Sequence, residues 1–471
     1  MLMNNAKRVA LIYGSKENKI QYKALETLGE LLLEYTKEYP MCFGAEQPFN
    51  AEEFTCIYVG TKENNRYIRE HSTAELDKAE SYSISVRGGV AMIEGKDDNG
   101  VLYGCVDFYN RYLVKKEFNQ SLYSSVNDPF ADTLSDFEVT SAPAISSRGI
   151  WTWGHVIYDL KRYIDNMVKL KMNTLIIWND FAPINAKQIV EYAHSCGIRV
   201  YFGFAWCWDT DCSRFSMDTI LDNADDIVRV YDTQYSDVGA DGIYFQSFTE
   251  LNQDAIGGVL IAEAVTRFVN YTSAKLFEKY PTLELQFGLH ANSVKEKLEY
   301  IAATDPRIRI VWENCGTFPF TDYEYTPEAY KQTQDLVRKI SDLRGENDKF
   351  GVVTKGFTSL DWSAFAHADA PVIIGRGSKK FIADRVARKS KIWRMVQAYW
   401  LSHAAEAQGM VQTLAEAKKG DLVLCTLVED GVFEENVMYP VALYAEMLWD
   451  PNADLSQMIN DVALRSYVDF A

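Results

Sequence analysis

The chain lacks any apolar run near the roughly 18 residues that a membrane-spanning helix needs. Its opening MLMNNAKRVALIYGSKENK holds only a five-residue apolar run, Val9 to Tyr13, where a secretory signal needs roughly seven to fifteen. Neither export nor membrane insertion is expected, and the expected location is the cytoplasm. Basic residues are the scarcer charge, 48 against 66 acidic, and the net charge of −18 opposes binding to nucleic acid or anionic lipid. The eight cysteines, at 42, 56, 105, 196, 207, 212, 315 and 425, are too scattered for a secreted disulfide framework and read as reduced thiols. The six histidines form no HExxH arrangement. The CWDTDC cluster (Cys207, Asp209, Asp211, Cys212) has no second set of ligands beside it, so no metal is expected. One glycine-rich turn, Gly375 to Ser378, is too little for a phosphate cradle, and no cofactor is expected.

What is present is apolar and aromatic: 47% of 471 residues are hydrophobic and 13% carry Phe, Tyr or Trp. A chain of this length exceeds one core, so two domains are expected. Residues 7–14 and 54–61 read as strands, and SYSISV and VAMIEG form a hairpin about Arg87-Gly88-Gly89. Tyr22 to Tyr39 and Asn99 to Leu113 have helical periodicity. Ser121 to Ala144 turns polar around Pro129 and Pro143 and reads as a connection. The division is a small α/β domain over 1–125, a linker over 126–145 and a larger domain over 146–471.

From Arg148 onward, eight apolar runs alternate with amphipathic helices: 148–153, 173–178, 198–206, 241–248, 283–289, 307–313, 350–357 and 421–428. Leu160, Tyr163, Ile164 and Met167 mark one helix, and Ile189, Tyr192, Ala193 and Cys196 another, stopped by Gly197. Eight such units predict a closed (β/α)8 TIM barrel, with an open doubly wound sheet as the rival.

In a barrel of this kind, chemistry sits just beyond the strands' C-terminal ends. There this sequence places Trp153, His155, Asn179, Trp208, Gln246, Thr249, Glu250, His290, Asn292, Glu313, Asp361, Trp362 and Glu429. Indoles that stack on a sugar's C–H face, beside carboxylates and amides that hold its hydroxyls, point to a carbohydrate. Trp151, Trp178 and Trp206 divide evenly between this role and packing. Cleaving a glycosidic bond needs a protonated carboxyl at the leaving oxygen and a second group that stabilises the anomeric carbon. Glu250 and Glu313, after strands four and six, are the candidates. The competing structural roles are a dipole partner for a helix starting near Ala255 and an ion pair, respectively.

The stretch SAPAISSRGIWTWGHVIYDLKRYIDNMVKLKMNTLIIWND resembles the opening of the catalytic barrel in family 20 glycoside hydrolases, the β-N-acetylhexosaminidases. DDNGVLYGCVDFYNRYL, QIVEYAHSCGIRVYF and ALYAEMLWDPNADL extend the likeness to the preceding domain, the third strand and the closing helix, shared with family 67 and 84 relatives. The resemblance implies that Arg148 holds hydroxyls of the terminal sugar, although an arginine there equally suits a buried ion pair at the barrel's base. It implies that Glu250 is the general acid. Thr249 stands where the family carries an aspartate that steers the substrate's acetamide, so another carboxylate must serve, and Glu313 is favoured over Asp361, Glu429, Asp430 and Glu434. The expectation is an exo-acting glycoside hydrolase of β-N-acetylhexosaminidase type, with Arg148, Trp153, His155, Asn179, Trp208, Gln246, Thr249, His290, Asn292, Asp361, Trp362 and Glu429 lining the sugar site. The partner is an oligosaccharide or glycoside. An α-glucuronidase-like hydrolase, with Lys355 and Arg376 as available cations, and a non-catalytic sugar-binding barrel are the alternatives.

Overall fold

The computed structural model describes residues 8–14, 18–114, 136–207, 216–250, 254–290, 297–314, 326–355, 367–418, 420–428, 432–435 and 437–469, except for a few side chains, Glu250 among them. The first domain is a six-stranded sheet in the order Met41–Gly44, Arg8–Tyr13, Phe54–Gly60, Val90–Gly95, Tyr82–Arg87, Phe137–Ser141. The first four run parallel, and the last two add antiparallel. Phe137–Ser141 falls inside the stretch read as linker; its pairing to Tyr82–Arg87 makes it an edge strand of the sheet. Helix Lys19–Thr36 is capped by the Asn18 side chain, which accepts from the amides of Ile20 and Gln21. It lies with Asp98–Asp107 on one sheet face, where Leu28 and Leu32 are fully buried. Each such leucine contributes roughly 1.5–3 kcal/mol over an exposed one.

The second domain is a closed barrel of eight parallel strands: Ser147–Trp153, Thr174–Trp178, Arg199–Trp206, Gly242–Ser247, Glu284–His290, Arg309–Glu313, Phe350–Thr354 and Leu422–Leu427. The register closes Leu422–Leu427 against Ser147–Trp153, with Val423 opposite Ser147 and Leu427 opposite Trp151. These are the eight runs read from the sequence, and the (β/α)8 expectation holds. Gly149 is required where strands one and two meet, because a Cβ there would lie 1.7 Å from the Thr174 carbonyl oxygen.

One helix begins later than expected. Ala255–Ile256 and Val259–Leu260 form a two-residue-turn hairpin, with Gly257 and Gly258 at φ 55° and 82°, and the helix runs Ile261–Lys279. Its N-terminus is therefore not the immediate dipole partner assumed for Glu250.

The two domains are fastened beneath the barrel. Lys171 is fully buried and reaches both carboxylate oxygens of Asp107 at 2.9 Å and Glu446 at 3.2 Å. Glu446 also takes Arg111 and Arg465, each at 2.9 Å. Arg148, expected to hold a sugar's hydroxyls, lies instead at this end, away from the strands' C-terminal ends. Its guanidinium pairs with Glu80 at 2.7 Å, donates to the carbonyls of Ile145 and Lys171, and lies over the rings of Tyr103 and Trp449. The reason is strand geometry: Trp151 and Trp153 point into the barrel, so Arg148, of opposite parity, points out, at the strand's N-terminal end.

Candidate active site

Successive side chains on a strand face opposite ways, and this sorts the candidate residues. The inward set at mid-barrel includes Trp151, Trp153, Ile176, Trp178, Tyr201, Tyr244, Val311, Val353, Cys425 and Leu427. Trp206 and Trp312 have the other parity and pack between barrel and helices, Trp206 stacked on Phe245 at 3.7 Å between ring centroids. Indole and phenol rings gather in the lumen: Trp151 lies 4.7 Å from Trp153 and 5.9 Å from Tyr244, and Trp178 lies 6.2 Å from Tyr244, all edge to face. Such contacts hold the rings in fixed orientations.

Glu313 ends barrel strand six on the inward side and is fully buried. Its Oε1 accepts short hydrogen bonds from the Tyr244 hydroxyl and the Gln246 amide, both on strand four. The Lys355 ammonium, just past strand seven, stands 3.3 Å from Oε2, and no hydrogen bond closes on Oε2 among the described residues. Burial alone would raise the Glu313 carboxyl. Lys355, then His290, then the bonds from Tyr244 and Gln246 outweigh burial, and the carboxyl lies below the ordinary glutamate value. An ionised carboxylate is thus built into the barrel's C-terminal end. Gly288 makes room for it, since a Cβ would lie 2.2 Å from the Tyr244 hydroxyl and 2.7 Å from Glu313 Oε1.

Of the expected site residues, Trp153, Gln246, His290 and Glu313 come together in this lumen. His155 is exposed in the turn Gly154–Val156 after strand one. Asn179 is nearly buried after strand two, donating to the Phe181 carbonyl at 3.1 Å. Thr249 is buried in the single turn Phe248–Glu250 after strand four, and Glu250 ends that turn. The backbone bends sharply nearby: Cys207 has φ 61° and bridges to Ser247. Trp208, Asn292, Asp361, Trp362, Glu429 and Asp430 lie outside the described residues, as do Asp209, Asp211 and Cys212. Arg376, the other available cation, is exposed opposite Asp159.

Two members of the cluster were not among the expected site residues. Tyr244 sits mid-run in GIYFQS and reads as core; only its inward parity, shared with Gln246, could have marked it. Lys355 was visible as an inward lysine without a place.

Glu434 is buried elsewhere on this rim. Its Oε1 accepts from the amides of Tyr158 at 2.7 Å and Asp159 at 3.4 Å, while Oε2 has no hydrogen bond among the described residues. Burial pushes its carboxyl up to about 7 against the pull of those amides, and nearby Asp159 adds to the rise.

No protein-family model matches the sequence, and no curated protein matches it. Solved structures do. The chain superposes on BtGH115A, a GH115 4-O-methyl-α-glucuronidase with specificity for decorated arabinogalactans, with TM-score 0.56 and 13% identity over 95% of this chain and 57% of that one. It superposes on a GH138 enzyme targeting pectin rhamnogalacturonan II, with TM-score 0.54 and 14% identity over 95% and 64%. CpGH84B gives TM-score 0.55 and 11% identity over 97% and 70%. The chain shares the fold of these proteins. It spans less than two thirds of the length of the first two of these proteins. Among the described residues no helix is long and apolar enough to cross a membrane, and no cluster of three or more His, Cys, Asp or Glu side chains could hold a metal ion.

Proposed function

We propose that the chain is an exo-acting glycoside hydrolase in which Glu250 is the general acid and Glu313 the second carboxylate. The observation that carries this reading is the ionised Glu313 at the C-terminal end of the barrel, anchored through one oxygen by Tyr244 and Gln246 and lacking a hydrogen bond on the other among the described residues. A negative charge fixed in a buried site stabilises positive charge developing at an anomeric carbon without reorganising during the reaction. Glu313 is fully buried, so direct contact through Oε2 requires the groups above it to part as the sugar enters; its field requires no contact. Trp153 and Trp178 supply apolar walls, and His290 and Asn179 supply polar groups for hydroxyls.

The family 20 resemblance favours an N-acetylhexosaminide. Thr249 provides no carboxylate for an acetamide, which favours a mechanism using two separated carboxylates instead. Lys355 supports a second reading, a uronide, because a cation at the C-terminal end of the lumen suits an acidic sugar and BtGH115A is described as a glucuronidase. Against it, the nearest carboxylate to that ammonium already belongs to the protein.

The test is hydrolysis of aryl N-acetylglucosaminide, N-acetylgalactosaminide, glucoside, galactoside and glucuronide by wild type and Glu250→Gln. Turnover of one sugar, reduced roughly two to four orders of magnitude in the variant, supports the reading and names the acid. Sugar binding without turnover across the panel would make the chain a non-catalytic carbohydrate-binding barrel.

A further inference from the structure

The helix after barrel strand seven, Lys379–Ser402, gathers charge of the sign the chain otherwise lacks. Residues 376–394 hold eight of the 48 lysines and arginines against one acidic residue, Asp384, in a chain of net charge −18. On one side of the helix Ile382 and Trp400 are buried at helical spacing, with Val386 and Val396 half-buried beside them. This side packs on helices Val432–Glu435 and Tyr439–Trp449, the Trp400 ring 5.8 Å from that of Tyr444. Lys380, Arg388, Lys391 and Arg394 fall on the other side and are exposed, in a row within roughly 120° of arc and along roughly 21 Å of axis. None of these four closes an ion pair among the described residues. The carboxylates of the neighbouring helix are engaged elsewhere, Glu435 by Arg162 at 3.4 Å and Glu434 by two backbone amides. Asp384 lies in the row itself, where four positive charges outnumber it.

The row begins at the barrel's C-terminal rim, the end at which Glu313 closes strand six. Ser378 caps the helix by accepting from the Phe381 amide at 3.2 Å. Just before it, Gly375 and Gly377 bond to the backbone of Ile157, Tyr158 and Leu160, past the end of strand one. Phe381 stands edge to face on Tyr158, 5.0 Å between centroids, and is 44% exposed; Met395, at the far end of the row, is 65% exposed. Three features identify the occupant. Positive charge repeated along an extended row calls for a partner whose negative charge also repeats. Exposed apolar side chains at both ends of the row suit a partner with apolar faces between its charges, as sugar rings have on their C–H faces. The acidic excess over the rest of the chain opposes duplex nucleic acid, with one charge per about 1.7 Å, more than a polymer with a single carboxylate per sugar.

We infer that this helix face docks an acidic polysaccharide, a polymer of uronate sugars, and leads it to the barrel's mouth. The docking rests on the helix alone; its service to the candidate site rests on the hydrolase reading. The experiment measures binding of the full chain to polygalacturonate and to the same polymer fully methyl-esterified, which keeps the sugars and removes the charge, by calorimetry at low and moderate salt. Wild type is compared with Lys380→Ser/Lys391→Ser/Arg394→Ser and with Arg388→Glu. These side chains are exposed, so both variants should unfold at the wild-type temperature and turn over small aryl glycosides at the wild-type rate. Wild type should bind the acidic polymer, lose roughly tenfold in affinity between about 50 and 200 mM salt, and bind the ester roughly tenfold more weakly. Both variants should bind the acidic polymer roughly tenfold more weakly than wild type does. No binding by wild type, equal binding of acid and ester, or equal binding by wild type and both variants overturns the inference. Tighter binding to duplex DNA or to phosphatidylserine vesicles than to polygalacturonate also overturns it, and gives the face to a nucleic acid or a membrane. Polymer binding that the variants lose, without aryl glycoside turnover, defeats hydrolysis alone; turnover without polymer binding defeats the docking surface alone.

Discussion

Replacing Glu434 by Gln should make the protein more stable relative to wild type as pH rises, against the usual expectation for removing a hydrogen-bonded carboxylate. Glu434 is 2% exposed, and burial lifts its carboxyl from 4.5 to about 7. The folded state therefore holds this proton more tightly than the unfolded chain. Its contribution is fully present below about pH 4.5 and is lost as pH rises through about 7. Integrating between those two values gives a loss of about 2.5 kcal/mol between pH 5 and pH 8. Glutamine keeps an oxygen for the Tyr158 and Asp159 amides but brings an amide to the Oε2 position, where no hydrogen-bond partner stands among the described residues. That constant cost, about 1–3 kcal/mol, offsets the variant's curve without tilting it. The assay is denaturant unfolding of both proteins at pH 5, 6, 7 and 8, followed by tryptophan fluorescence. Carboxylates held low in the folded state, such as Glu80, Asp241 and Asp421, lose their contribution at acid pH in both proteins and cancel in the difference. Parallel curves would refute the reasoning, because they would mean that Glu434 titrates alike folded and unfolded. A difference that moves the other way would mean that the ionised form is the favoured one.

Two further outcomes separate the ends of the barrel. Lys355→Met removes the strongest charge holding Glu313 low, so the acid limb of the kcat/KM profile should move to higher pH, and stability should fall by about 3–5 kcal/mol because a buried carboxylate loses its partner; an unmoved acid limb would dissociate Glu313 from the chemistry. Arg148→Met should destabilise by a similar amount through Glu80 while leaving KM for the accepted sugar unchanged. A raised KM at unchanged stability would return Arg148 to the sugar site.

The barrel was legible because its strands are apolar on both faces, and eight such runs with helices between them leave few other folds. Parity within those strands was equally available. Taking Trp151 and Trp153 as inward sends Arg148 outward at once, and the family likeness of the Arg148-Gly149 pair obscured this. That pair has a local explanation here: the arginine secures Glu80, and the glycine admits the Thr174 carbonyl. The Gly257-Gly258 turn between two apolar pairs is a hairpin signal in its own right, so the late helix start was also readable. Phe137–Ser141 alternates in burial as a one-sided edge strand should, but it is only five residues long beside a polar stretch, and its partner lies some 50 residues earlier. The raised Glu434 could not be read from sequence, because burial of a carboxylate on a four-residue helix depends on which loops close over it. The Glu313–Lys355 contact stood between: both residues have inward parity, and the register that sets Glu313 beside Val353 leaves Lys355 two residues on, just past its strand.

The charges at the two ends of the barrel differ in kind. At the base Glu446 is held by three cations, Lys171, Arg111 and Arg465, and Asp107 by two of the same three. Removing one partner there leaves others, and the consequence is felt in domain association. At the mouth Glu313 has, among the described residues, one cation within ion-pair distance, two uncharged donors and one oxygen without a hydrogen bond. Burial is the largest influence on its proton affinity and raises it, and Lys355, His290, Tyr244 and Gln246 together outweigh burial, so the charge rests on a few side chains of which one is an ammonium. A charge so held stays ionised in the folded chain yet responds to what binds beside it, which suits the C-terminal end of a barrel to chemistry and the N-terminal end to cohesion.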